Sequence, residues 1–104
     1  YHTKLVAKAA SHSLVMSDMP FMSYKTLDDA LINATKLMQS GAEIIKIEGG
    51  KWVENIIKEL SVRGIPTCCH LGLTPQYIHK LGSYGVRGKG QDEANTIKSD
   101  SMIL

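Results

Sequence analysis

The sequence predicts an α/β fold in which short parallel strands alternate with helices along the 104-residue chain. Three features support this. Short apolar runs at Leu14–Asp18, Glu43–Glu48 and Thr67–Leu71 have strand length, and each meets a proline or glycine soon after its end. Apolar residues recur at helical spacing in the segments between them. The strand candidates are short and largely apolar, which suits a parallel sheet covered by helices.

The central run, Glu43-Ile44-Ile45-Lys46-Ile47-Glu48-Gly49-Gly50, is the most informative. Side chains alternate faces along a strand, so Ile44, Lys46 and Glu48 share one face and Ile45 and Ile47 the other. The isoleucine face suits a helix layer. The second face starts apolar and turns charged toward the carboxyl end, where α/β proteins place their ligands.

Taken in order, Tyr1 to about Ala10 carries Leu5, Val6 and Ala9 at helical spacing and reads as the end of a helix. Ser11-His12-Ser13 breaks it. The strand Leu14–Asp18 stops at Pro20, which lacks a ladder donor, so Met19–Lys25 is a loop. Thr26, with Asp29 three residues on, opens the next helix in the manner of a capping box. Its stripe is Leu27, Ala30, Leu31, Ala34, Leu37 and Met38, and Gly41 ends it. After the central strand, Trp52 to Arg63 repeats the pattern with Val53, Ile56, Ile57 and Leu60, and Gly64 and Pro66 stop it. Gly72 ends the third strand, and Thr74-Pro75 predicts a short helix reaching Leu81. The glycine-rich stretch Gly82–Gly90 lacks the spacing of a phosphate cradle and reads as a turned connection. Asp92 begins a last helix with Ala94 and Ile97 on one face.

Composition narrows the classes. A net charge of +2 without a run of Lys or Arg points to neither nucleic acid nor an acidic membrane surface, and no apolar run is long enough to span a bilayer. Cys68 and Cys69 lack a second pair for a zinc site and read as reduced, buried small residues of an intracellular protein. The uncapped ends lead us to expect a piece of a longer polypeptide, a single incomplete domain spanning residues 1–104. The visible units fit either a doubly wound sheet or part of a (β/α)8 barrel.

Each strand carries polar groups at its carboxyl end: Asp18, then Lys46 and Glu48, then His70. Singly, Asp18 is an ordinary turn former and His70 an ordinary core histidine, and Lys46 and Glu48 can simply pair with each other or with neighbours. On adjacent parallel strands they share one rim and converge. Two carboxylates suit a hard cation such as Mg²⁺, and the lysine suits a substrate carboxylate or phosphate.

The stretches Asp18-Met19-Pro20-Phe21-Met22-Ser23-Tyr24, Lys46-Ile47-Glu48-Gly49-Gly50 and His70-Leu71-Gly72-Leu73-Thr74-Pro75-Gln76 resemble, in order and spacing, the hallmark motifs of the ketopantoate hydroxymethyltransferase family. Tyr1-His2-Thr3 and Ser83-Tyr84-Gly85-Val86-Arg87-Gly88 fit as well, although Ser83 stands where the family commonly has glycine and Gly85 where it has lysine. The resemblance covers essentially the whole chain. It implies the middle three strands of a (β/α)8 barrel and a magnesium-dependent aldol-type transfer. In that reaction a proton leaves the carbon next to the ketone of 3-methyl-2-oxobutanoate, and the enolate attacks the one-carbon unit of 5,10-methylenetetrahydrofolate, giving 2-dehydropantoate for pantothenate synthesis.

Carried over by motif, Asp18 is a metal ligand that also meets the substrate, Glu48 is a ligand of the metal or of its water, and Lys46 contacts the keto acid. His70 has an accessory role on the same rim. The resemblance implies that another metal-binding Asp and the glutamate acting as general base lie outside these residues. No catalytic base is therefore assigned here, and the isolated chain is expected not to turn over. It further implies a homo-oligomeric enzyme in the cytoplasm, or in mitochondria for a eukaryotic source. The competing reading is a non-catalytic α/β fragment or interaction module.

Overall fold

The computed structural model describes all residues from Tyr1 to Leu104. Helix α1 (His2–Ala9) leads into strand β1 (Met16–Asp18), followed by α2 (Leu27–Gln39), β2 (Ile44–Glu48), α3 (Glu54–Val62), β3 (Thr67–His70), α4 (Ile78–Leu81) and α5 (Gln91–Ile103). Tight 3-10 turns at Lys51–Val53 and Pro75–Tyr77 run directly into α3 and α4. The strands form one parallel sheet in the order β1-β2-β3, the α/β arrangement that the sequence predicts. Asp18 is the register partner of Lys46, and Glu48 that of His70.

Alternation along β2 sets the layers. Ile45 and Ile47 are fully buried, and they join Ala30 and Ala34 of α2 with Val53, Ile56 and Leu60 around α3 in one core cluster. Burying an isoleucine side chain stabilises the fold by about 1.5–3 kcal/mol, so this face anchors the sheet to its helices.

The helix boundaries follow local chemistry. Thr26 Oγ1 accepts from the Asp29 N–H at 3.2 Å and its hydroxyl donates to Asp29 Oδ2 at 2.6 Å. That hydrogen bond holds the Asp29 carboxyl below its ordinary pKa. At the other end of α2, Gly41 takes φ +101°, and a Cβ there would stand 2.5 Å from the Ala7 Cβ, so glycine both ends the helix and lets α1 approach.

Several expectations need correction. Strand β1 begins at Met16 rather than Leu14, and Leu14 is exposed. Val15 is instead tied to the start of β2: its N–H donates to Glu43 Oε2 at 2.9 Å, and its carbonyl accepts from the Glu43 N–H at 2.8 Å. Only Ser17 of β1 is buried, and every residue of β3 is half-buried. Among these 104 residues both strands have a sheet neighbour on one side only. For the same reason Cys68 and Cys69, which are free thiols, are half-buried rather than buried. Burial still pushes the Cys69 thiol pKa up. Leu71 falls outside β3, and Thr74 precedes its 3-10 turn without a side-chain capping bond. No residue of α1 or α5 is buried, and no helix is long and apolar enough to cross a membrane.

Candidate functional site

Parallel strands bring their carboxyl ends to one rim, and all four sequence-predicted residues meet there. The Lys46 ammonium donates to Asp18 Oδ2 across the strand pair and to Glu48 Oε1, 3.2 Å away on its own strand. His70 Nδ1 lies 3.2 Å from the same Glu48 oxygen. A carboxylate can only accept, so Nδ1 carries the hydrogen of that bond.

Their depths differ. The Glu48 side chain is 3% exposed, that of Lys46 23%, and that of Asp18 50%. Strand geometry alone makes Lys46 the deeper of the two β2 groups. The structure reverses this, because the segment after β3 closes over Glu48: the Gln76 N–H donates to Glu48 Oε2 at 3.0 Å. Burial on its own would lower the Lys46 pKa, but its hydrogen bonds to Asp18 and Glu48 outweigh that and hold it above the usual lysine value. The lysine is therefore a fixed cation between two acids.

Two residues escaped the reading of strand ends. Tyr24, in the loop after β1, is buried, and its one hydroxyl hydrogen is shared between two acceptors, the Glu48 carbonyl at 2.9 Å and Gln76 Oε1 at 3.1 Å. Its ring stacks on Trp52 with centroids 5.8 Å apart. Burial drives the Tyr24 phenol pKa far up. Gln76 donates from Nε2 to the Met19 carbonyl at 2.8 Å and to Asp18 Oδ1 at 3.3 Å. A usable signal existed for Gln76, since it follows β3 on the same rim that singled out His70. Tyr24 carried no comparable mark in a loop that also holds Phe21 and Met22.

Two clefts flank the rim. One, of about 420 Å³, contains Asp18 with Thr3, Val6, Ser17 and Pro20. The other, also about 420 Å³, opens past Gly49 toward Trp52, Tyr77 and Arg87 and includes none of the four site residues. The chemistry therefore lies between the clefts rather than inside the second.

The residues fit a hard cation in kind, since the nearest donors are carboxylate oxygens and Mg²⁺ needs only one or two of them beside its waters. Asp18 is the more accessible donor because it is half-exposed, although Lys46 holds its Oδ2 and Gln76 its Oδ1. Glu48 has both oxygens engaged, Oε1 by Lys46 and His70 and Oε2 by Gln76. No three His, Cys, Asp or Glu side chains come together as a ready-made cage.

Comparison with known proteins adds to this geometry. A family model described as ketopantoate hydroxymethyltransferase matches residues 1–104. A 3-methyl-2-oxobutanoate hydroxymethyltransferase from Marinomonas sp. (strain MWYL1) is 51% identical over 104 residues, which is 100% of this chain and 38% of the relative. Proteins of the same name from Acinetobacter baylyi and Wigglesworthia glossinidia brevipalpis are 51% and 50% identical over the same 104 residues, each covered to 39% of its length.

Proposed function

This chain belongs to the ketopantoate hydroxymethyltransferase family, and from that membership we propose that it supplies part of the metal and keto-acid site of an enzyme transferring a hydroxymethyl group to 3-methyl-2-oxobutanoate. The observation that carries this reading is the convergence of Asp18, Lys46, Glu48 and His70 at the carboxyl ends of three adjacent parallel strands. The strands represent the third, fourth and fifth of a (β/α)8 barrel, whose active site occupies that rim.

In this reading Asp18 and Glu48 hold Mg²⁺, with Asp18 as the direct ligand and Glu48 acting on the ion or its water. Magnesium, when bound, supplies a Lewis acid that polarises the substrate ketone. An ammonium has three donors, and Lys46 spends two of them on Asp18 and Glu48. The third is available to the keto-acid carboxylate, so the two acids aim the lysine as well as neutralising it. His70, fixed through Nδ1 by Glu48, keeps Nε2 for a ligand or water. The proton acceptor comes from outside these residues. The one-carbon donor is 5,10-methylenetetrahydrofolate, and the working enzyme is a cytoplasmic homo-oligomer.

Calorimetric titration of the full-length enzyme that contains these residues with 3-methyl-2-oxobutanoate, with and without Mg²⁺, tests the reading. Keto-acid binding should require the metal, Asp18→Asn should abolish that requirement together with the tight binding, and Lys46→Ala should weaken the complex. Binding that ignores both Mg²⁺ and Lys46 would overturn the proposal.

A further inference from the structure

Gln76, which lies outside the strands, hydrogen-bonds to four residues around the rim. Its backbone N–H donates to Glu48 Oε2 at 3.0 Å. Its side-chain Nε2 donates to the Met19 carbonyl at 2.8 Å and to Asp18 Oδ1 at 3.3 Å, while Oε1 accepts from the Tyr24 hydroxyl at 3.1 Å. One residue on the segment after β3 therefore touches both carboxylates and the loop that carries one of them. These partners are 58 and 28 residues away for Asp18 and Glu48, and 52 for Tyr24.

The surroundings determine the orientation of the amide. Turning it over would set Oε1 against the Met19 carbonyl and the Asp18 carboxylate, three acceptors facing one another. In the observed orientation Nε2 meets two acceptors and Oε1 meets the Tyr24 hydroxyl, whose one hydrogen is shared with the Glu48 carbonyl. Asp18 needs this support because its side chain is half-exposed and its other oxygen is held by a lysine that it shares with Glu48. A planar amide anchored on a backbone carbonyl is a stiffer reference than a lysine stem.

We propose that Gln76 is a positioning residue that sets Asp18 and Glu48 at a fixed mutual spacing for a divalent cation, an inference that rests on the metal reading above. The main-chain arm acts on Glu48 and is insensitive to side-chain identity. The amide arm acts on Asp18 and is lost on substitution. Groups that orient a metal ligand from behind typically contribute 10–100-fold to metal affinity, and Gln76 occupies that place for Asp18.

The test uses Mn²⁺ as the probe, with its dissociation constant followed by electron paramagnetic resonance on the full-length enzyme that contains these residues, alongside the thermal midpoint. Gln76→Met retains the length and packing of the side chain and removes the amide arm. Mn²⁺ binding should weaken roughly tenfold, whereas a merely structural role would lower the midpoint and leave the Mn²⁺ constant unchanged. Asp18→Asn separates the two levels of the reading. If Asp18→Asn abolishes Mn²⁺ binding while Gln76→Met leaves it intact, the role of Gln76 is overturned and the metal site stands. If Asp18→Asn changes nothing, the metal reading itself fails. Should Gln76→Met not fold, nuclear magnetic resonance of the unsubstituted enzyme decides. The Gln76 side-chain amide protons should exchange slowly and shift on Mg²⁺ addition. Amide protons that exchange at the free rate and ignore Mg²⁺ would overturn the proposal.

Discussion

Lys46 on β2 and Asp18 on β1 are register partners, and the ammonium of the first donates to the carboxylate of the second. The same ammonium also serves Glu48, whose side chain is 3% exposed. Lys46 thus has a structural duty as well as the substrate contact proposed for it. Lys46→Ala should lower stability by about 1–3 kcal/mol, since it leaves a buried carboxylate short of a donor. Glu48 retains His70 and the Gln76 N–H, which limits the loss. The unfolding midpoint and the keto-acid dissociation constant, measured on one sample, should both worsen. A lowered midpoint with unchanged affinity would leave Lys46 a structural group only.

The turn after Glu48 should tolerate no side chain. Gly49 has φ +151°, and a Cβ there would lie 2.9 Å from both Trp52 Nε1 and Val53 Cγ1. Because Trp52 stacks on Tyr24, the clash would spread to the residue that holds the Glu48 carbonyl. Gly49→Ala should cost about 1–3 kcal/mol in strain. Equilibrium urea unfolding would measure it, and a loss near zero would show that the backbone and the Trp52 and Val53 side chains all relax around the added Cβ.

Tyr24 should make the fold sensitive to alkali. Its folded pKa is raised above the ordinary value of 10.0, chiefly by burial. Above about pH 10 the unfolded chain releases this proton and the folded chain retains it, so stability present below that pH declines as pH rises. The slope from this one group approaches about 1.4 kcal/mol per pH unit. Tyr24→Phe should lower stability at neutral pH by about 0.5–1.5 kcal/mol through its lost hydrogen bonds and should also flatten the alkaline decline by one proton. An unchanged alkaline slope would mean that Tyr24 does not stay protonated in the folded state.

The isoleucine face of β2 should dominate the core. Ile47 is fully buried between the helix layer and the sheet, directly beside the site residues Lys46 and Glu48. Ile47→Ala should destabilise by about 2–5 kcal/mol, with part of the cost coming from the cavity left behind. Chemical denaturation would read this directly. A loss below about 1 kcal/mol would show that the layer collapses onto the gap.

Much of this protein was legible in the order of its residues, because the relevant physics is local. The alternation that puts Ile45 and Ile47 on one face and Lys46 and Glu48 on the other is a property of any strand. The Thr26 cap, the glycine stop at Gly41 and the stripe from Val53 to Leu60 likewise depend on neighbours within about a helical turn. Parallel pairing followed from the alternation of short apolar strands with helices, and it put Asp18, Lys46, Glu48 and His70 on one rim.

Burial and partner choice depended on contacts far along the chain. Cys68 and Cys69 are half-buried because, among these 104 residues, β3 pairs with β2 alone, and pairing is decided between segments far apart in the chain. Leu14 left the strand because Glu43 captured the backbone of Val15 from 28 residues away. Glu48 became the deepest group of the site when Gln76 and Tyr24 closed over it from two different loops. Strand periodicity tells which face a side chain takes. How deeply it is buried, and which of several opposite charges it meets, is decided only when distant segments compete for the same hydrogen-bonding groups and exclude water from them.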